Sequence, residues 1–127
     1  MALKEVAVQG LTLTPQGIVT PGTGVLTITS TPSVKVKGGG SGAYKTPLQF
    51  TLTGANATGY DPGTVVTVGP GSISATAIKV KADGTIVMRV DDQNAAVSMT
   101  GTISGTPTPF TEPWKITNAG QTKVKAN

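Results

Sequence analysis

The tripeptide Lys-Val-Lys occurs three times in this chain of 127 residues, at Lys35-Val36-Lys37, Lys79-Val80-Lys81 and Lys123-Val124-Lys125. The steps from 35 to 79 and from 79 to 123 are both 44 residues, and a period of that size marks one supersecondary unit used repeatedly. The likeness reaches beyond the tripeptide. Val34-Lys35-Val36-Lys37-Gly38-Gly39-Gly40 lies over Ile78-Lys79-Val80-Lys81-Ala82-Asp83-Gly84, each an apolar/polar run followed by turn residues. Gly24-Val25-Leu26-Thr27-Ile28 resembles Gly71-Ser72-Ile73-Ser74-Ala75, and Thr51-Leu52-Thr53-Gly54 resembles Ser98-Met99-Thr100-Gly101 at an offset of 47. The units run over about 10–53, 54–100 and 101–127. The third stops just after its Lys-Val-Lys, so its hairpin is unfinished, and an amino-terminal strand from Val6 to Thr14 is placed to complete it. Three units would then close around an axis with the chain ends meeting. The competing explanation is that Thr/Val/Lys strands look alike in any β-sheet protein.

Composition favours the same class. With 17 Gly, 9 Pro and abundant Thr and Ser, helix propensity is low along nearly the whole length, whereas the same residues suit strands and turns. The length allows one domain and one core. Only 4% of residues are aromatic, so that core is built from Val, Ile, Leu and Ala. Strands are expected at Val25 to Thr29, Leu48 to Thr53, Thr64 to Val68, Val97 to Ile103 and Trp114 to Thr117. Thr106-Pro107-Thr108-Pro109 and Thr20-Pro21-Gly22-Thr23-Gly24 read as turns or edge positions. The expected fold is all-β, a compact cone-like set of hairpins with an approximate threefold internal repeat.

Several chemistries are excluded or disfavoured. Cysteine and histidine are both absent, which removes disulfides, thiolate nucleophiles, Cys/His zinc sites and imidazole-based triads. Gly38-Gly39-Gly40-Ser41-Gly42 lacks the Gly-Lys-Ser/Thr continuation and following helix of a phosphate loop. Glu5, Asp61, Asp83 and Glu112 show no paired-carboxylate arrangement for hydrolysis, and Tyr44, Tyr60 and Trp114 lie too far apart in sequence to suggest a sugar platform. Asp91, Asp92 and Asn94 form the one acidic cluster that a hard cation could use, but neighbours on a strand point to opposite faces. The net charge of +4 comes with lysines that alternate with Val and with no interleaved aromatics, which fits solvated strand faces better than a nucleic-acid surface. No enzyme activity, cofactor, metal, nucleic-acid partner or small-molecule substrate is expected. The amino-terminal stretch is too polar for a signal peptide, which implies synthesis in the cytoplasm.

The clearest local feature is a hairpin. Ile78-Lys79-Val80-Lys81 and Thr85-Ile86-Val87-Met88-Arg89-Val90 flank Ala82-Asp83-Gly84, and Asp-Gly supplies the φ > 0 residues of a type I′ turn. Ile78 and Val80 are expected on a buried face, with Lys79 and Lys81 opposite. Arg89, the lone arginine, has a fork suited to holding Asp92 or a carbonyl group.

Gly84-Thr85-Ile86-Val87-Met88-Arg89-Val90-Asp91-Asp92 resembles the hairpin of the PAAR-repeat proteins, the sharp tips of type VI secretion and related contractile injection systems. The family pattern runs Gly, a variable residue, Pro-Ala-Ala-Arg, a further residue, then Gly-Asp. Gly84, Arg89 and Asp92 fall on its Gly, Arg and Asp. Ile86-Val87-Met88 replaces Pro-Ala-Ala, and Asp91 stands where Gly is usual. The close resemblance covers about 25 residues, from Gly69 to Asp92, with Asp83, Gly84, Arg89 and Asp92 as the structural hairpin residues. It implies a tip that caps a trimeric spike, one chain per trimer, and touches a target envelope transiently, within a virion or an extracellular contractile particle. Members commonly hold a metal near the vertex through His and Cys; without these, the resemblance implies a metal-free point or one held by oxygen ligands. No fused toxin domain is expected in a chain of this length. The alternative is a β-sandwich binding or decoration module on a virion or cell surface.

Overall fold

The computed structural model describes residues 3–126 and contains no helix among them. Thirteen strands occur among the described residues: β1 (Lys4–Glu5), β2 (Thr12–Pro15), β3 (Val25–Ile28), β4 (Lys37–Gly38), β5 (Ser41–Gly42), β6 (Leu48–Thr53), β7 (Val66–Thr67), β8 (Gly71–Ile73), β9 (Lys81–Ala82), β10 (Thr85–Ile86), β11 (Gln93–Ile103), β12 (Thr106–Asn118) and β13 (Lys125–Ala126). The fold is all-β, as composition demands.

Two larger sheets enclose the main core. One has the order β2-β12-β11-β7 and the other β3-β6-β8, and every pairing is antiparallel. Alternation sets their inner faces. Along β6, Leu48, Phe50 and Leu52 are buried while Gln49 and Thr53 are exposed, the period of 2 that a one-sided strand requires. Phe50 meets Trp114 of β12 with ring centroids 5.0 Å apart, and Leu13, Ile73, Met88, Met99 and Ile116 pack into the same cluster. Each such side chain contributes about 1.5–3 kcal/mol on burial.

The sheets adjoin along one side. Ala55 and Val65 exchange backbone hydrogen bonds of 3.0 and 3.1 Å, which joins the end of β6 to the segment leading into β7. Asn94 of β11 donates to the carbonyl of Ser72 in β8 at 2.7 Å. On the other side, between β2 and β3, lies a cleft of about 270 Å³ lined by Leu13, Leu26, Leu52 and Trp114. Past the cleft the wall is resumed by residues 17–20. Thr20 N–H donates to Asn56 O and Thr58 N–H to Ile18 O. Toward β12 no backbone ladder forms; instead the Glu112 carboxylate accepts from the N–H groups of Gly17, Ile18 and Val19, each at 3.0 Å.

The three Lys-Val-Lys tripeptides each lead into a short antiparallel pair. Lys37-Gly38 pairs with Gly42-Ser41, Lys81-Ala82 with Ile86-Thr85, and Lys125-Ala126 with Glu5-Lys4. The amino- and carboxy-terminal segments thus meet as expected, with pairing beginning at Lys4. The first two pairs are closed by Gly39-Gly40 and Asp83-Gly84, with φ of 60°, 87°, 52° and 81°, as a type I′ turn requires.

Each pair feeds a segment at the floor of this end: 6–8, 43–45 and 87–89. Ala7 N–H donates to Met88 O, Met88 N–H to Tyr44 O and Tyr44 N–H to Ala7 O, all at 2.9 Å. The three segments therefore close a ring of backbone bonds. Alternation divides their side chains between two layers: Ala7, Tyr44 and Met88 enter the main core, and Val6, Val8, Ala43 and Val87 join Ala82 and Ala126 in a second, smaller cluster.

Strand positions differ from expectation in several places: Thr64–Val68 shortens to Val66–Thr67, Thr85–Val90 to Thr85–Ile86, and Val6–Thr14 is broken by a turn at Gln9-Gly10 before β2. Ile78 is 64% exposed instead of buried, because the chain bends there and β9 begins only at Lys81. Val97–Ile103 extends back to Gln93. Trp114–Thr117 belongs to a strand of 13 residues that starts at Thr106. Pro107 and Pro109 lie beyond the stretch where β2 covers the far edge of β12, and on an edge their missing N–H groups cost nothing.

Candidate functional site at the hairpin pole

The four hairpin residues expected from sequence all lie at this end, but in two separate groups. Asp83 and Gly84 form the turn. The Asp83 carboxylate reaches across to Lys45 at 3.2 Å, which ties the turn to the segment following β5. The Lys45 ammonium beside Asp83 holds its carboxyl below the ordinary carboxylate range. The pair therefore favours the folded state fully above that range, and the contribution is lost as pH falls below it through the lowered folded-state value. Gly84 has open space where a Cβ would stand, so only its left-handed φ resists substitution. Gly84→Ala is expected to lower stability by about 1 kcal/mol, seen as a lower denaturant midpoint with an unchanged slope.

Arg89 and Asp92 form the second group, both buried. The Asp92 carboxylate accepts from Arg89 N–H at 2.8 Å and from the Thr76 hydroxyl at 2.6 Å. The guanidinium donates to Thr76 Oγ1 at 2.8 Å and to the carbonyl of Ala126 at 3.1 Å. Of the two partners expected for the fork, the carbonyl is found. Asp92 is reached through Thr76, a participant that nothing in the sequence marks. Arg89 Nε has no partner among the described residues. The network clamps β13, the last strand, onto the segment following β10.

The remaining candidates diverge. Asp91 lies between Lys115 at 3.4 Å and Lys4 at 3.8 Å, while Asp92 points inward and Asn94 turns to Ser72 O. No group of three or more His, Cys, Asp or Glu able to hold a metal occurs among the described residues. Tyr44 and Trp114 are core residues, and Tyr60 stacks on Phe110 with centroids 4.8 Å apart, so the aromatics make no common platform. Burial pushes the Tyr44 hydroxyl above its ordinary value. Asp61 accepts from the N–H groups of Ser104 and Gly105 at 3.2 and 3.1 Å and clamps the β11–β12 turn.

What this end presents outward is basic. Lys35, Lys37, Lys79, Lys81, Lys123 and Lys125 are all exposed, each pair flanking a central Val. Compared with protein-family models, with curated proteins and with solved structures, the chain matches none.

Proposed function

We propose that this protein is the tip of a contractile injection spike, a single chain that imitates threefold symmetry so that it can seat on a trimer. The observation that carries this reading is the backbone ring. Ala7, Tyr44 and Met88 play the same part in it, and the neighbouring bonds repeat in step. Val6, Ala43 and Val87 donate to Val124, Val36 and Val80 at 2.9, 2.9 and 3.1 Å. Val90, Thr46 and Gln9 donate to Glu5, Ile86 and Gly42, each at 2.9 Å. The three Lys-Val-Lys segments enter this pattern at equal sequence spacing, which supports three like units arranged about one pole in a cone-like body. Asp91 adds support: its φ of 71° is a conformation that glycine takes freely and Asp tolerates, at the place where the PAAR pattern has Gly.

In this reading the ring end faces the trimer, because it carries one backbone pattern in three copies. The far end is built from one long hairpin, β11–β12, and forms the point. Its work is mechanical: the body transmits axial force to the target envelope and performs no bond chemistry. Native mass spectrometry of the chain mixed with the trimeric spike protein encoded in its genome is expected to show one chain per three spike chains. Equal numbers of the two chains, or no complex, would overturn the proposal.

A second reading, a β-sandwich binding module, draws on the contact of Phe50 with Trp114 across the two larger sheets. It predicts binding to a capsid or glycan and no one-to-three complex.

A further inference from the structure

The exposed residues at the ring end form a pattern that the backbone ring does not require. Eight of the nine lysines lie on the segments of this end: Lys4, Lys45 and the six of the tripeptides. Two of the three acidic side chains on these segments are engaged, and the third, Glu5, stands opposite Lys125 across the β1–β13 pair. Asp83 is paired with Lys45, and Asp91 with Lys4 and Lys115. The six tripeptide lysines form no ion pair among the described residues, and they outnumber the one acidic side chain left unpaired on these segments, Glu5. Large apolar residues stand among them, with Val34 80% and Ile78 64% exposed, directly ahead of Lys35 and Lys79. An aliphatic side chain left in water beside a lysine pair, at places 44 residues apart, is the make-up of a protein interface, with an apolar centre and a charged rim.

We infer that this end docks on a trimeric protein whose terminal face carries carboxylates in three symmetry-related copies, each copy meeting one Lys-Val-Lys segment. The inference rests on the tip reading and names the chemistry of its partner. Threefold placement favours a protein trimer over an anionic lipid surface, which offers charge without fixed spacing. Charge complementarity of this kind steers encounter, fixes which partner is accepted and is weakened by salt. It also settles rotational register, since three positive clusters facing three negative ones make rotations between the matched positions unfavourable.

The test uses the full chain, the trimeric spike protein of its genome, and vesicles of phosphatidylglycerol and phosphatidylcholine. Affinity is measured at about 0.05 M and about 0.5 M NaCl, across which the screening length shrinks from roughly 14 Å to roughly 4 Å. It is also measured for the triple variant Lys35→Gln/Lys79→Gln/Lys123→Gln, whose exposed positions leave folding intact, as an unchanged denaturant midpoint will verify. Both changes are expected to weaken the one-to-three complex by at least about tenfold. A one-to-three complex indifferent to salt and to the triple variant would overturn the lysine inference and leave the tip reading standing. No such complex at either salt would overturn the tip reading itself. Binding to the vesicles with none to the trimer would overturn both and assign the lysines to lipid headgroups.

Discussion

Replacing Glu112 by Ala is expected to lower the free energy of unfolding by about 3 kcal/mol, because three backbone donors, that of buried Val19 among them, lose a buried charged acceptor together. Residues 17–19 run beside β12 without a backbone ladder, and the Glu112 carboxylate stands in for the missing strand. Water cannot easily replace it, since the side chain is 1% exposed. Gly17 is part of the same device: a Cβ there would collide with Glu112 Oε1 and crowd Pro113, so the loop closes on the carboxylate only without a side chain. Glu112→Gln keeps one acceptor oxygen but turns an NH₂ group toward an N–H donor, and a loss of about 2 kcal/mol is expected. Urea unfolding followed by circular dichroism measures both. A change below about 0.5 kcal/mol for Glu112→Ala, the range of an ordinary surface substitution, would show that the seam does not depend on this carboxylate.

The second large effect is expected at Asp92. Asp92→Ala removes the acceptor of the Thr76 hydroxyl and of Arg89 N–H and so loosens the threonine on which the buried guanidinium rests. Breaking a buried charged network on one side costs about 3–5 kcal/mol, whereas exchanging the whole of it for apolar groups is often neutral. The triple variant Thr76→Val/Arg89→Met/Asp92→Leu is therefore expected to recover most of what Asp92→Ala loses. The positions 44 residues earlier, Pro32, Lys45 and Leu48, hold the corresponding part of the chain without such a network. Equal losses in the single and triple variants would mean that Arg89 and Asp92 are needed for shape and not as a compensated pair.

What could be read from the sequence was what is local or periodic. Leu48–Thr53 coincides with β6 because alternation alone decides it, and the Asp83-Gly84 turn is written in two adjacent residues. The meeting of the terminal segments, seen in the pairing of β1 with β13, was suggested by the third Lys-Val-Lys. Glu112 could not be singled out: Thr-Glu-Pro-Trp carries no local signal, and its three donors lie more than 90 residues away. Thr76 is hidden for the same reason, as one threonine among many whose hydroxyl gains meaning only between Arg89 and Asp92. Ile78 shows the limit of periodicity, for the pattern predicts a face but not the bend that takes the residue out of the strand. The prolines of β12 take the edge position that was one of their two readings, and they do not end the strand.

The closed ring of backbone bonds at the hairpin end also bears on where the molecule would begin to fray. A ladder peels from its free end, one rung at a time, at the force that a single rung can bear. Ala7, Tyr44 and Met88 belong to a loop with no outermost rung, so it offers no free end at which such peeling could start.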